Sequence, residues 1–467
     1  MLAFFPNAIS KKGLSLYVIC LAIVSVVFYD YAMSWLWAAL GLLEILLFFV
    51  VAGRLTMQWR QQTSRSFVRN IFWLALGLRI VWVLFSYFYY LKETGMPFEL
   101  DSKDALGYHE EAEWLAGITW KEVWNYLFVS RMGYSDSGYP LYLTVLYKMI
   151  GPNIFAARIM KSFYGSLTCV LVYQLAKRCM GEEVGRMAAL FAVFMPNLIV
   201  YCGLHLKETE MLFLIVAFLE RTDYLFRVNK FTFWRILIPV LLAGSLFLFR
   251  TVLGVVAVFS FFTGLVFSPT LKRNKGRKVL LTTWAIVAVL VLAGGAFATE
   301  VEDLWQNKGV NQETKRMEQT IRGNRWAKYA TGVVMAPIVF VLPFSTMVDT
   351  EQEIQLTLHG GNYVRNFMGV FVIIALVNCL FIKKNWRDFA LIGSFVIGYL
   401  GVISMSGFAN SERFLLPGLP GLIIMWAYGL SVLNAKSYQY VKYWFLVIPL
   451  MEIGWAYFKL GSRGIIG

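Results

Sequence analysis

The strongest constraint on this chain is a run of about 20 apolar residues that recurs along its whole length. A helix of that length crosses the roughly 30 Å hydrocarbon core of a bilayer. Backbone polar groups in hydrocarbon must be satisfied within the segment itself, which favours helices for runs this long. The sequence predicts spanning helices at 14–30, 34–53, 70–91, 154–176, 184–200, 206–225, 234–249, 251–268, 279–297, 363–382, 387–405, 414–433 and 441–459.

The composition agrees with a membrane protein. Hydrophobic residues make up 58% of the 467 residues and charged residues 15%, whereas soluble domains carry about 25% charge. The net charge of +15 does not indicate a nucleic-acid partner, because excess Lys and Arg in membrane proteins lie in cytoplasmic loops beside lipid. We therefore expect an all-α polytopic bundle with about 11–14 transmembrane helices and an external loop that contains an amphipathic helix.

The loops predict the orientation of the bundle. Basic residues cluster in the connections at 54–69, 272–278 and 383–387, and the positive-inside rule places such loops in the cytoplasm. The loop 93–137 has nine acidic and three basic residues, so we expect it on the external side. With that orientation, segment 139–150 is predicted as a helix of partial depth, since its 12 residues extend only about 18 Å. The same is expected of 332–348, although its 17 residues could just span the membrane.

The external loop contains the most acidic stretch, residues 99–116, with six Asp or Glu residues. Ala105, Tyr108, Ala112 and Leu115 recur at helical spacing and form one apolar stripe. Asp104 lies in the first turn of this predicted surface helix. The acidic face either is simply solvated or provides a carboxylate that takes a proton from an incoming hydroxyl.

A series of short motifs adds a family resemblance. In order, they are an apolar helix with Arg79, Asp104-(three residues)-Tyr108-(three residues)-Ala112, Gly138-Tyr139-Pro140-Leu141-Tyr142, Ala157-Arg158, Ala176-Lys177-Arg178-(two residues)-Gly181, Leu206-Lys207-Glu208 and Ser411-Glu412-Arg413-Phe414. Over residues 70–225 and 405–435 this order resembles the GT-C superfamily of membrane glycosyltransferases. These are polyprenyl-phosphate-sugar-dependent enzymes that include protein O-mannosyltransferases and aminoarabinose transferases.

The resemblance implies a GT-C-like bundle that transfers a sugar, with inversion, from a polyprenyl-phosphate-linked donor to a hydroxyl of a glycan, lipid or protein. It also implies a bacterial inner membrane with a periplasmic site. The domains would be two additional N-terminal helices (1–69), a catalytic transmembrane module (70–297), an external loop with a partial-depth helix (298–362), and C-terminal helices (363–467).

The candidate site residues follow from the resemblance and from the charges. Asp104 is the expected general base, and Asp101 is its alternative because Ala105 replaces the second of two adjacent acids common in the family. Inverting transfer releases a lipid phosphate, so cations should meet it. The candidates at outer helix ends are Lys207, Arg250, Arg365 and Arg413, each of which could instead be an interfacial cation.

Other residues have two interpretations each. Tyr108 and Glu208 are expected to contact substrate, although Glu208 also suits the dipole at a helix N-terminus. Arg79, in mid-helix, should face a partner or a substrate. His359 belongs to a His-Gly-Gly-Asn stretch that predicts a flexible turn and a substrate contact. The three histidines with neighbouring acids could hold a divalent metal, but no spaced ligand motif is present.

Two further alternatives stay open at this point. The mixed-charge loop 298–331 is either an interfacial amphipathic segment or a lid over the lipid-linked donor. The chain as a whole could also be a polysaccharide polymerase or ligase acting on lipid-linked oligosaccharide. A transporter or flippase for lipid-linked sugars is the third possibility, although it predicts repeated halves, and residues 70–270 and 279–467 show no repeat.

Overall fold

The computed structural model describes residues 4–99, 103–130, 135–228, 232–267, 338–350, 352–405 and 411–462, together with isolated positions after residue 267. Across these ranges the chain is helical, and its extended backbone pairs at one isolated bridge between Ala32 and Val348. The all-α fold class predicted from the sequence is confirmed. Asp101, the loop 298–331 and nearly all of the predicted helix 279–297 lie outside the described residues.

Seven helices in the described ranges are long and apolar enough to cross a membrane: Asn7–Val27, Trp35–Gln58, Ser64–Thr94, Ile154–Met180, Glu353–Ile382, Trp386–Ser404 and Glu412–Ser431. An eighth span is formed if the pair Glu182–Phe194 and Pro196–Gly203 counts as one, although it bends by 57°. Proline explains the bend, because it has no N–H and forces the preceding residue out of helical geometry. The chain is a multi-pass integral membrane protein.

Four further long helices match predicted segments, three of them to within two residues at each end and the last with a start six residues earlier. They are Glu208–Arg227, Phe233–Phe249, Thr251–Phe267 and Ala435–Ser462. Helix Phe233–Phe249 ends at Arg250, which is its C-terminal capping residue. Lys207 precedes helix Glu208–Arg227 as its N-terminal capping residue. Both cations therefore lie at helix ends, as the sequence predicts.

Helix Ile154–Met180, called here the central helix, packs against Ser64–Thr94, Glu182–Phe194 and Glu208–Arg227. Arg79 of the first of these partners is fully buried. Its guanidinium donates to the carbonyls of Ala75 and Ala192, at 3.2 Å each, and to the Cys169 thiol at 3.3 Å. Both Nη groups of the intramembrane arginine are thus bound by protein atoms, which favours the structural one of its two interpretations.

The acidic stretch forms the helix Lys103–Gly117, called here the surface helix, with Ala105, Ala112 and Leu115 buried. This confirms the predicted amphipathic helix. It packs on helix Gly138–Ile150, called here the short helix, whose Lys148 donates to the Ala116 carbonyl at 3.0 Å. With 13 residues the short helix extends about 20 Å, less than the hydrocarbon core of a bilayer.

The helix predicted over 332–348 is wrong in its described part, because residues 338–348 contain a short turn, irregular backbone and the bridge residue Val348. Asn366 supplies hydrogen bonds that helical backbone would otherwise make. Its side-chain amide donates to the Val341 carbonyl at 2.8 Å and to the Pro343 carbonyl at 3.0 Å, and its Oδ1 accepts from the Ser345 N–H at 3.1 Å. Pro343 itself has no N–H to offer a helix.

The flexible turn predicted at His359-Gly360-Gly361-Asn362 is also wrong, because these residues lie inside the helix Glu353–Val377. The two glycines serve close packing instead. A Cβ on Gly360 would lie 2.2 Å from Glu44 Oε2, and a Cβ on Gly361 would lie 2.0 Å from Asn197 Oδ1. Small residues allow membrane helices to approach this closely. The helix therefore continues through the two glycines, and it begins at residue 353 and not at the predicted 363.

Candidate active site

The centre of the site is a guanidinium shared by two carboxylates. Arg413 pairs through Nη1 with Asp104 Oδ2 and through Nε with Glu208 Oε1. Asp104 lies in the first turn of the surface helix, and Glu208 is the first residue of its own helix. Arg413 lies in the first turn of the span Glu412–Ser431. Three helix N-termini therefore meet at one point.

The two carboxylates differ in exposure. The side chain of Glu208 is 0% exposed, that of Arg413 is 21% exposed, and that of Asp104 is 59% exposed. A general base must reach the proton that it removes. Asp104 can be reached from outside, whereas Glu208 is enclosed and can only hold the guanidinium in place.

Two further cations adjoin this pair of ion bridges. Lys207 forms an ion pair with Asp136 and donates to the Phe249 carbonyl at 3.1 Å. Arg250 lies over the ring of Phe414, 4.5 Å from its centroid, and donates to the Tyr399 hydroxyl at 3.2 Å. Burial, followed by the positive charge of Arg250, lowers the pKa of Lys207 to about 7.

Tyr108 follows Asp104 by one helical turn on the surface helix. Its ring meets that of Tyr139 edge-on, with centroids 5.1 Å apart. Burial raises the pKa of Tyr108 to about 12, although Arg413 acts in the opposite direction. The phenol therefore stays neutral and can donate a hydrogen bond. Six predicted site residues thus converge in what we call the polar cluster: Asp104, Tyr108, Lys207, Glu208, Arg250 and Arg413.

Two predicted site residues have no contact with the acids of the polar cluster among their hydrogen bonds. Arg365 is well inside helix Glu353–Val377, not at its end as predicted, and its guanidinium donates to the carbonyls of Leu342 at 2.7 Å and Leu415 at 3.1 Å. His359 is fully buried and its Nε2 lies 2.8 Å from the Tyr17 hydroxyl. The contacts of both side chains hold helices and loops together.

The histidines do not form a metal site with acids in the part of the chain that the structure describes, where no group of three or more His, Cys, Asp or Glu residues could hold an ion. His109 and His205 instead flank the hydroxyl of Tyr147, at 2.8 and 3.4 Å. His109 also lies 3.9 Å from Glu113 on the surface helix. At the polar cluster, the cation between the two carboxylates is Arg413.

Two buried cations beside the site are not among the predicted site residues: Arg158, which the sequence shows only as part of a family motif, and Lys161, both 0% exposed on the central helix. A signal for them was present, because they lie three residues apart inside the predicted spanning helix 154–176. Charges inside a membrane helix face a partner or a cavity.

Comparison with known families bears on the region that contains part of this cluster. Residues 138–294 match the model of the dolichyl-phosphate-mannose-protein mannosyltransferase family. This confirms the resemblance to GT-C glycosyltransferases. The matched segment includes Lys207, Glu208 and Arg250, whereas Asp104 and Arg413 lie outside it. The polar cluster thus joins residues of the matched segment to a carboxylate and a guanidinium from helices on either side of it.

Solved structures of GT-C proteins are similar to the chain at low identity. ArnT from Cupriavidus metallidurans bound to undecaprenyl phosphate shares 16% identity with a TM-score of 0.49, over 81% of this chain and 62% of that one. The oligosaccharyltransferase AglB from Archaeoglobus fulgidus, in complex with an inhibitory peptide and a dolichol-phosphate, shares 12% identity with a TM-score of 0.47, over 87% and 56%. The chain therefore spans less than two thirds of either protein. No curated protein matches its sequence.

Proposed function

We propose that the chain transfers a sugar from a polyprenyl-phosphate-linked donor to an acceptor hydroxyl, with inversion, at the outer face of the membrane. The observation that carries the proposal is the ion bridge from Asp104 through Arg413 to Glu208. The family match of residues 138–294 supports the reaction class. The acceptor would be a glycan, a lipid or a protein, and the membrane would be a bacterial inner membrane with the site on the periplasmic side.

The chemistry divides between one base and several cations. Asp104 takes the proton of the acceptor hydroxyl while the hydroxyl oxygen forms a bond to the anomeric carbon. The bond from that carbon to the phosphate oxygen breaks, and the lipid phosphate leaves with the electron pair. Lys207, Arg250 and Arg413 neutralise the charge that develops on this leaving group, which is the role expected of preorganised cations.

Arg413 gives the site a means of coupling donor binding to base activation. In the free protein its guanidinium pairs with the Asp104 carboxylate and so occupies an oxygen that the acceptor hydroxyl would approach. A donor phosphate competes for the same N–H groups. Once the phosphate is bound, Asp104 is released for the acceptor, while the buried Glu208 keeps the guanidinium in position.

The experiment uses the purified full chain in nanodiscs with polyprenyl-phosphate-linked sugars and hydroxyl acceptors of the three classes. Release of polyprenyl phosphate measures turnover, and NMR of the product gives its anomeric configuration. We expect an inverted product. We also expect Asp104→Asn to lower kcat by about 100-fold or more while Glu113→Gln, a change at an exposed acid on the same helix, leaves it unaltered.

Asp101→Asn separates the two candidate bases. If Asp101 is the base, this variant loses transfer and Asp104→Asn keeps it. Full transfer in both correctly inserted variants would refute an acidic base from this loop. A product with retained configuration would refute the single-displacement mechanism.

A further inference from the structure

Two buried cations on one face of the central helix contact both segments that lead to the polar cluster. Arg158 and Lys161 lie three residues apart, nearly one helical turn, and both are 0% exposed. Neither belongs to the polar cluster itself. Long cationic side chains are rarely enclosed unless their heads are paired, so their partners indicate what they do.

Lys161 holds the segment that precedes Lys207 and Glu208. Its ammonium donates to the Leu204 carbonyl at 2.9 Å and to the Leu206 carbonyl, and it lies 3.6 Å from Glu210 Oε2. Residues 204–206 form no helix, so no regular hydrogen-bond ladder fixes their carbonyls. The Lys161 ammonium supplies that constraint directly before the two cluster residues.

Arg158 holds the segment that precedes the surface helix. Its Nη2 donates to the Pro97 carbonyl and lies 3.9 Å from Glu99 Oε2. In the same segment, the ring of Phe98 meets the ring of His205 edge-on, with centroids 5.8 Å apart. The approach to Asp104 is thus packed against the segment that Lys161 holds.

We propose that Arg158 and Lys161 are positioning residues that hold Asp104 and Glu208 in register with Arg413 for transfer. This inference rests on the proposed function. Arg413 reaches both carboxylates at once, so a displacement of either approach segment breaks one of the two bridges. A shift of about 1 Å in a catalytic group costs on the order of 100-fold in rate.

The test removes Lys161 without leaving a buried charge behind. Lys161→Met alone would strand the Glu210 carboxylate, so the variant is Lys161→Met/Glu210→Gln, which replaces the ion pair by neutral groups of similar size. The matched control is Lys177→Met/Glu182→Gln. It removes another Lys–Glu pair, 2.6 Å apart, which involves the same central helix but lies near its other end.

Two measurements are made on each protein: transfer kinetics, and hydrogen exchange of the backbone amides by mass spectrometry. We expect the Lys161 variant to lose about 10- to 100-fold in kcat with little change in donor KM, and its 204–207 amides to exchange faster. The control should keep the parental kcat and the parental exchange at 204–207.

The two measurements separate the failure of this inference from that of the proposed function. Parental kcat together with parental exchange in the Lys161 variant would overturn the positioning role, since an ion pair that only stabilises the fold would behave that way. If the unsubstituted protein transfers no sugar, the proposed function falls. In that case, parental hydrogen exchange at 204–207 in the Lys161 variant would overturn the positioning role by itself, and faster exchange there would support it.

Discussion

Replacing Arg413 is the sharpest perturbation of the polar cluster, because the two ion bridges of this residue differ in burial. Glu208 is fully enclosed and Asp104 is 59% exposed. In Arg413→Met the Glu208 carboxylate loses its guanidinium inside the protein, and breaking a buried pair costs about 3–5 kcal/mol. Loss of the exposed bridge to Asp104 adds only about 0–1 kcal/mol to this cost in unfolding free energy, because water screens exposed pairs.

The magnitudes predict an order of stability among four proteins. Asp104→Asn removes only the exposed bridge, so its free energy of unfolding should lie within about 1 kcal/mol of that of the parent. Arg413→Met should be the least stable. Arg413→Met/Glu208→Gln should recover most of the loss, since it leaves no buried charge without a partner. All three variants should be defective in sugar transfer.

The assay is reversible unfolding of the purified protein in mixed micelles with rising SDS, followed by tryptophan fluorescence. The free energy of unfolding is compared across the four proteins under one condition. Equal stability of Arg413→Met and Asp104→Asn would refute the reasoning, because it would mean that Glu208 does not depend on Arg413 for its neutralisation.

Three further predictions follow from particular contacts. Because the pKa of Lys207 is about 7, its ammonium is lost as the pH rises through 7, and the donor KM of the parent should rise above that pH. Lys207→Arg should remove this pH dependence of KM. The same pH dependence in the variant and the parent would contradict the phosphate contact. Arg250→Gln should raise donor KM. Arg365→Gln should instead cost about 1.5–3 kcal/mol of unfolding free energy and leave donor KM at the parental value in the folded fraction. A raised KM in Arg365→Gln with a parental KM in Arg250→Gln would show that the two roles are exchanged. Gly361→Ala should cost about 1–3 kcal/mol of unfolding free energy, because the new Cβ would lie 2.0 Å from Asn197. Gly77→Ala is the control and should not destabilise the protein, because its Cβ would meet open space. Equal melting curves of the two variants would argue against the close helix contact.

The parts of the fold that are local in sequence could be predicted well. The surface helix was predictable because Ala105, Ala112 and Leu115 recur at helical spacing and are all buried. The ends marked by Lys207 and Arg250 were predictable because a charged residue interrupts an apolar run at each position. Periodicity and hydropathy report such features directly.

The start of helix Glu353–Val377 was not predictable in the same way. Glycine pairs are more typical of turns than of helices, and the sequence does not reveal that Gly360 and Gly361 face Glu44 and Asn197. A neighbour that is distant in sequence decides the role of these glycines. Tertiary packing overrides the local preference here.

That these side chains meet in one site could not be predicted from a single sequence, for the same reason. Arg413 is 309 residues from Asp104 and 205 residues from Glu208, and no spacing rule relates such positions. The sequence could identify each of these groups as a candidate at a helix end. It could not distinguish Arg413, which joins the cluster, from Arg365, whose guanidinium binds carbonyls.

The measurement that tests the central claim most directly is kcat of Asp104→Asn beside its affinity for polyprenyl phosphate. The claim predicts that kcat falls by about 100-fold or more while the dissociation constant of polyprenyl phosphate stays at or below the parental value, because Arg413 no longer pairs with a charged carboxylate. Parental kcat in this variant would contradict the assignment of Asp104 as the base. A large loss of polyprenyl phosphate binding would contradict the competition between that carboxylate and the phosphate for Arg413.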